Sequence, residues 1–338
     1  MPADLQTFAE LSNLPAVPTV HVVNVEKLAP ADRNDPDAIG EVMLDVEVVA
    51  GACPGANIAV YFSNFTEKGW VDVIDAALND AANDPKVLSI SYGLAEGADI
   101  WTTQAMNSVN DAMKEAAARG IPVCVASGDD GSDDQVGDGL AHINFPATSP
   151  FVLSVGGTAL IKSADGNKEV VWFDGDGLRK DNGGSTGGGV SSMFARPDWQ
   201  SSINIPSVNP NAMAGRIVPD VSADAAGSTG YLMVAQGQSN VSGGTSAATP
   251  LWASLLALLM KANVPVNFVT PLFYQAATGG NGATVGSLAC NDIEDGNNNT
   301  AAAGGYAAGK GYDAVTGWGS PRGGAFAQAL ARQSPLIS

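Results

Sequence analysis

Short apolar runs rich in β-branched residues alternate with amphipathic stretches along the first half of the chain, and few folds tolerate that alternation. The runs are 19–25 (TVHVVNV), 56–62 (ANIAVYF), 87–92 (VLSISY) and 121–127 (IPVCVAS), with one more at 151–155. Each has the length and composition of a strand. Between them, 70–83 and 103–119 carry apolar residues at helical spacing, and Gly120 stops the second. Residues 3–14 read as a polar-faced helix, and a polar Pro/Asp/Asn loop follows the 19–25 run. The stretch 40–50 (GEVMLDVEVVA) fits strand or helix. On a helix, Glu41 and Asp45 share a face. Alternating strands and helices predict an α/β fold, a mostly parallel central sheet flanked by helices on both faces. Neither repeat nor linker divides the 338 residues, so one domain is expected. Active groups in such sheets gather on loops at the carboxyl ends of strands. Asp129 stands in such a loop, after the 121–127 run. From 164 to 239 the chain breaks into shorter β-like pieces, glycine-rich at 183–189. A long Asn/Gly/Ala loop fills 291–311, a length usually tied to function or a ligand.

Composition narrows the partners. Hydrophobic residues make up 45%, enough for a sizeable core. Acids outnumber bases 35 to 16, giving a net charge of -19. That charge disfavours nucleic acid and anionic membranes as partners. With a sequence pI near 4.2, self-repulsion mostly vanishes in mild acid, which suits an acidic workplace. Cys53, Cys124 and Cys290 cannot all pair within one chain, and no CxxC or Cys/His cluster suggests thiol-bound metal. Cys124 is expected in the core. No signal peptide is recognisable, and the longest apolar run, 251–260, is too short to span a bilayer.

The chemistry concentrates at 242–250 (SGGTSAATP). Gly243 and Gly244 free the backbone, Thr245 or Ser246 can cap a helix over 247–261, and Pro250 falls near its first turn. A serine there lies beside free N–H groups, a setting for a nucleophile whose reaction develops an oxyanion. On local grounds alone it is a capped helix after a tight turn. A serine nucleophile needs a base, yet the only histidines, His21 and His142, have no evident acidic orienter. The base would then be a carboxylate. Glu41 and Asp45, held close, cannot easily both ionise, so one proton is shared. Spacing alone favours reading them as two solvated surface acids.

The segments GEVMLDVEV, SISYG, ASGDDGS, FPATSPFVLSVGGT, GGSTGGGVS, VPDVSADA and SGGTSAATP, in this order, resemble the sedolisins. These are the serine-carboxyl, kumamolisin-like peptidases of subtilisin-like fold. The resemblance runs from about residue 5 to 330. It implies an acid-acting endopeptidase in which Ser246 attacks the peptide carbonyl, Glu41 takes its proton and Asp45 supports Glu41. A protonated Asp129, with the Ser246 N–H, would face the oxyanion. It also implies an extended substrate between Ser91-Tyr92-Gly93 and Ser127-Gly128. Relatives often have Trp at the position of Tyr92, and some have Asp at that of Asn144, so a preference for basic side chains would be weakened here. Asp292 and Asp313, with the carbonyls of Ile293, Gly309 and Gly311, resemble the family's calcium site; read without the resemblance, they form an Asn/Gly turn region. One structural Ca2+ is therefore expected, in a secreted monomer acting on proteins or peptides.

Family members begin this domain with a buried strand ending in an acid that supports the triad Glu. Nothing before Ala3 matches that strand, and no propeptide precedes it. Exposed strand edges inside the sheet are expected unless a further segment or a second polypeptide fills the gap. The alternative expectation is a catalytically impaired, calcium-stabilised binding or scaffold domain.

Overall fold

The computed structural model describes residues 2–27, 35–97, 101–163, 166–181 and 183–332. The polar loop expected after the first strand lies, over 28–34, outside the described residues.

Helix α1 (Pro2–Leu11) leads to β1 (Thr19–Asn24), α2 (Pro36–Ala52), β2 (Asn57–Phe62), α3 (Glu67–Leu78), β3 (Leu88–Ile90), α4 (Thr103–Ala118) and β4 (Val123–Ala126). The ambiguous stretch at 40–50 is helical. Asp35 caps α2 by accepting from the Asp37 N–H at 3.0 Å, and Pro36 opens its first turn. Thr66 and Thr102 cap α3 and α4 in the same way. Helix α3 ends at Leu78, short of the expected 83. The Asp80 carboxylate accepts from the Ala82 and Asn83 N–H groups and turns the chain instead.

Two sheets result. Strands β4, β5 (Leu153–Ser163) and β7 (Val221–Asp224) pair in parallel with β3 in the order β7-β5-β4-β3. The run expected over 151–155 is much longer, because the outer half of β5 pairs antiparallel with β6 (Gly166–Val171). Strands β1 and β2 form a separate parallel pair. Among the described residues, β2 pairs only with β1, and β3 only with β4. The expected burial of β2 is therefore incomplete: its residues are half-buried or exposed.

Side-chain alternation along β4 distributes the core. Val123 and Val125 face α3 and α4, against Trp70, Ile74, Val109 and Met113. Cys124 faces α5 (Thr245–Lys261), with Leu153, Val155, Ala248, Trp252 and Leu256. Helices thus cover both faces of the larger sheet. Helix α2 packs Met43 and Val46 on Val20, Ile58 and Val60 of the smaller one. Its Leu44 and Val48 touch Ala247, and Tyr231 and Met233 of β8 (Tyr231–Ala235) pack beside them; β8 is hairpin-paired to β9 (Gln238–Ser242). All three cysteines are free and buried. Among the described residues, no helix is long and apolar enough to cross a membrane.

Candidate active site

The nucleophile candidate enters from a backbone only glycine tolerates. Gly244 caps α5 with φ 98°, and a Cβ there would lie 2.8 Å from Asp129 Oδ2. The expected cap by Thr245 or Ser246 is not made. Thr245 turns back to the loop after β4: its N–H and hydroxyl donate to Asp129 Oδ1 at 2.8 and 2.7 Å. Ser246 is left in the first turn, 7% exposed, with an N–H that makes no hydrogen bond among the described residues.

Pro250 lies inside α5, one turn later than expected. A residue with an N–H at 250 would bond the carbonyl of Ser246 four residues back. Proline cannot, and that carbonyl accepts instead from Ser91 Oγ at 3.3 Å. The same Ser91 hydroxyl donates to Asp45 Oδ1 at 2.8 Å, and the Ser91 carbonyl accepts a long 3.4 Å bond from Ser246 Oγ. Ser91, expected only as a wall of the substrate cleft, also joins the serine helix to the acid helix.

Glu41 and Asp45 face this junction from α2. Enclosure raises the Glu41 carboxyl above its ordinary value; the Ser246 hydroxyl opposes the shift and the Asp129 charge reinforces it. Asp45 is raised strongly, first by burial and then by Glu41. Oxygen Oε1 of Glu41 is buried without a hydrogen-bond partner. Ser246 is thus near enough to act on the Glu41 carboxyl, yet the bond its hydroxyl makes among the described residues is the long one to the Ser91 carbonyl. No hydrogen bond links Glu41 to Asp45 among the described residues. Glu41, Asp45, Asp129 and Ser246 all converge on one place.

Asn144 lies between the loops of Gly93 and Gly128. A Cβ on Gly93 would fall 1.8 Å from Asn144 Oδ1, so only glycine fits at 93. Gly128 flanks the same side chain, and Asn144 Nδ2 donates to Asp134 at 3.3 Å. Tyr92 stands beside the acid pair, its phenol pushed up by burial and then by Glu41 and Asp45. The backbone N–H and C=O groups of Tyr92 and Gly93 make no hydrogen bonds among the described residues. Ser127 is fully buried and donates to the Gly187 carbonyl at 2.9 Å, supporting its wall from behind.

Two features escaped the sequence. Arg179 approaches Asp129 Oδ2 at 3.7 Å and Asp130 Oδ2 at 2.8 Å, from a loop with no recognisable pattern. His142, expected to lack an acidic partner, contacts Asp138 at 2.9 Å, four residues back in sequence. That pair touches no serine and leaves the carboxylate as the base candidate.

The Subtilase family model matches residues 30–317. A solved structure of Pseudomonas sedolisin, a serine-carboxyl proteinase complexed with pseudo-iodotyrostatin, superposes with a TM-score of 0.80 at 30% identity, covering 97% of this chain and 88% of that one. The chain belongs to the sedolisins. Kumamolisin of a Bacillus species is 44% identical over 330 residues, 96% of this chain and 56% of that protein. Human tripeptidyl-peptidase 1 is 32% identical over 303 residues, 83% of this chain and 50% of that protein. The chain therefore spans about half the length of these curated relatives.

In the 291–311 loop, Asp292 Oδ2 accepts from the Gly311 N–H at 2.7 Å and Asp313 Oδ2 from the Gly309 N–H at 3.1 Å. The carbonyls of Ile293, Gly309 and Gly311 accept no hydrogen bond among the described residues. Burial pushes the Asp313 carboxyl up to about 6. Among the described residues no group of three or more His, Cys, Asp or Glu could hold a metal ion, and Asp313 Oδ1 already accepts from the Val315 and Thr316 N–H groups at 3.0 and 2.8 Å, so the oxygens open to a cation here include the three free carbonyls.

Proposed function

We propose that this sedolisin is an acid-acting serine-carboxyl endopeptidase. The observation that carries this reading is the Ser246 hydroxyl standing against an enclosed Glu41 carboxyl with no imidazole nearby. Glu41 takes the Ser246 proton as Oγ attacks the scissile carbonyl. The tetrahedral oxyanion forms between the unpartnered Ser246 N–H and Asp129. Oδ1 of Asp129 already accepts two bonds from Thr245, which leaves Oδ2, 3.7 Å from Arg179, as the oxygen turned to the site. Glu41 returns its proton to the leaving amine, and the acyl-enzyme is hydrolysed by water activated at the same carboxylate. Asp45, held by Ser91, shares one negative charge with Glu41. An extended peptide adds as a strand to the free backbone at Tyr92-Gly93, with Asn144 below the side chain that enters the cleft.

Raising the pH ionises both acids of the pair, whose carboxyls burial holds above the ordinary range, and sets their negative charges beside the oxyanion. Activity is expected in acid only, with a bell-shaped profile. A peptide aldehyde at pH 4 should label Ser246 in the intact chain and not in Ser246→Ala. Full turnover at pH 7.5, or no labelling at pH 4, would overturn the reading.

In the same reading Asp292, Asp313 and the carbonyls of Ile293, Gly309 and Gly311 hold one structural Ca2+. Bound there, the ion supplies charge neutralisation for Asp313 and pins the long loop. Chelation should lower Tm by several degrees; an unchanged Tm counts against the ion. A further parallel strand bringing an acid to Asp45 is proposed between the unpaired edges of β2 and β3, from chain beyond these residues or from another polypeptide. Secretion, a propeptide and a monomeric state belong to this proposal too.

A further inference from the structure

A further acid on α2, after Asp37, Glu41 and Asp45, lies on the side away from the catalytic cleft. Glu47 is 1% exposed, and its Oε2 accepts from the Val234 N–H of β8 at 2.7 Å. Its Oε1 is buried with no partner. Around it runs a groove of ≈ 310 Å³ with apolar walls, among them Phe8 of α1, Val48 of α2, Leu232 of β8 and Leu251 of α5. One carboxyl thus fastens the acid helix to β8 in an apolar setting. Val48, its neighbour in sequence, packs against Ala247, next to the nucleophile.

Among the described residues no Lys or Arg stands ready to balance a charge on Glu47. Asp4 of α1 adds a like charge, with Oδ1 accepting from the Gly237 N–H at 2.8 Å. Tyr231 of β8 lines the groove, but its hydroxyl donates to the Asp224 carbonyl. Neither α1, α2, β8 nor β9 contains Lys or Arg, and α5 has only Lys261 at its last position. A neutral carboxyl tolerates this setting; a carboxylate with one orphan oxygen does not.

We propose that Glu47 is a positioning residue for the acid helix: protonated, it docks α2 on β8, and loss of its proton releases that contact. The proposal rests on the reading that α2 carries the base, but its docking step can be tested without turnover. Burial, opposed by the Val234 N–H and reinforced by Asp4, pushes the Glu47 carboxyl up to about 7. A raised carboxyl pKa makes the docked state bind the extra proton. The stabilisation is complete below the ordinary Glu value near 4.5 and is lost as pH rises towards 7. Full loss corresponds to a rise of about 100- to 300-fold in the opening equilibrium.

The test measures amide-exchange protection factors between pH 4.5 and 8 in Ser246→Ala chains, which cannot digest themselves. With Glu47 present, protection of α2 and of the Val234 amide should fall about 100-fold relative to α5 as pH rises. Glu47→Gln keeps an acceptor for Val234 but cannot ionise, so its protection should not change with pH. Glu47→Leu removes the acceptor and should weaken docking at every pH. Equal pH slopes with Glu47 and with Glu47→Gln would overturn the proposal, as would flat protection in both. Loss of peptidase activity with that difference in slope intact would sink the catalytic reading and leave the latch standing.

Discussion

The hydroxyl and the carboxylates of this site hang from different parts of the molecule. Ser246 and Asp129 belong to the larger sheet, where buried acids are well supplied with donors. Asp220, fully buried beside β7, accepts from the Ser154 N–H at 2.8 Å and from Tyr274 at 2.6 Å, and pairs with Arg216. Glu41 and Asp45 belong to α2, seated on a two-stranded sheet. There Glu41 and Glu47 each leave an oxygen without a partner. Asp220 in the larger half is thus held by fixed hydrogen bonds and an ion pair. The other half holds its acids above the ordinary carboxylate range, so that Glu41, once ionised, is the stronger proton acceptor. A carboxylate fully satisfied by N–H donors would be too weak a base to take a serine proton.

The sharpest test applies the same acid-to-amide change to both halves. Glu41→Gln should lower kcat about 10⁴-fold at pH 4 by removing the base. Because folding raises the Glu41 value, its charge costs stability once pH climbs past the ordinary carboxylate range. The same variant should therefore be about 1–2 kcal/mol more stable than the parent at pH 8 and no more stable at pH 4, read by chemical denaturation in the Ser246→Ala background. Asp220→Asn should move the other way, losing about 3–5 kcal/mol by leaving Arg216 buried without its countercharge. Equal signs for the two variants would erase the distinction between the halves. Asp129→Asn keeps an acceptor for Thr245 but removes the acid at the oxyanion, and should cost about 100- to 1000-fold in kcat with little change in KM. The smallest effect is expected at the seam. Pro250→Ala restores an N–H that competes with Ser91 for the Ser246 carbonyl, and should reduce kcat less than about tenfold.

Local pattern made much of this legible. The βα alternation, the glycines before Ser246 and the four-residue spacing of Glu41 and Asp45 each depend on neighbours in sequence. The His142–Asp138 contact apart, what was not legible depends on partners far along the chain. Residues 40–50 could be strand or helix until β1 and β2 supplied a surface for one apolar face. Thr245 has the chemistry of a helix cap, but Asp129, 116 residues away, takes both its donors. Strand β5 outruns its apolar pattern because β6 folds back on it. Arg179 carries no local signal, since its role comes from the loop that sets it beside Asp129 and Asp130. The lack of any N–H at 250 was plain from the sequence. Its effect appeared only when Ser91 was found at the freed carbonyl.

The unpaired borders of β2 and β3 also bear on how the molecule wears out. Warming should loosen β1, β2 and α2 ahead of the five-stranded portion, because fewer ladder bonds hold them. An extended backbone with free amides is also the shape a peptidase cleft grips, so neighbouring copies would clip one another along β2 first. Shelf life in acid would then be set by that border rather than by the global melting point.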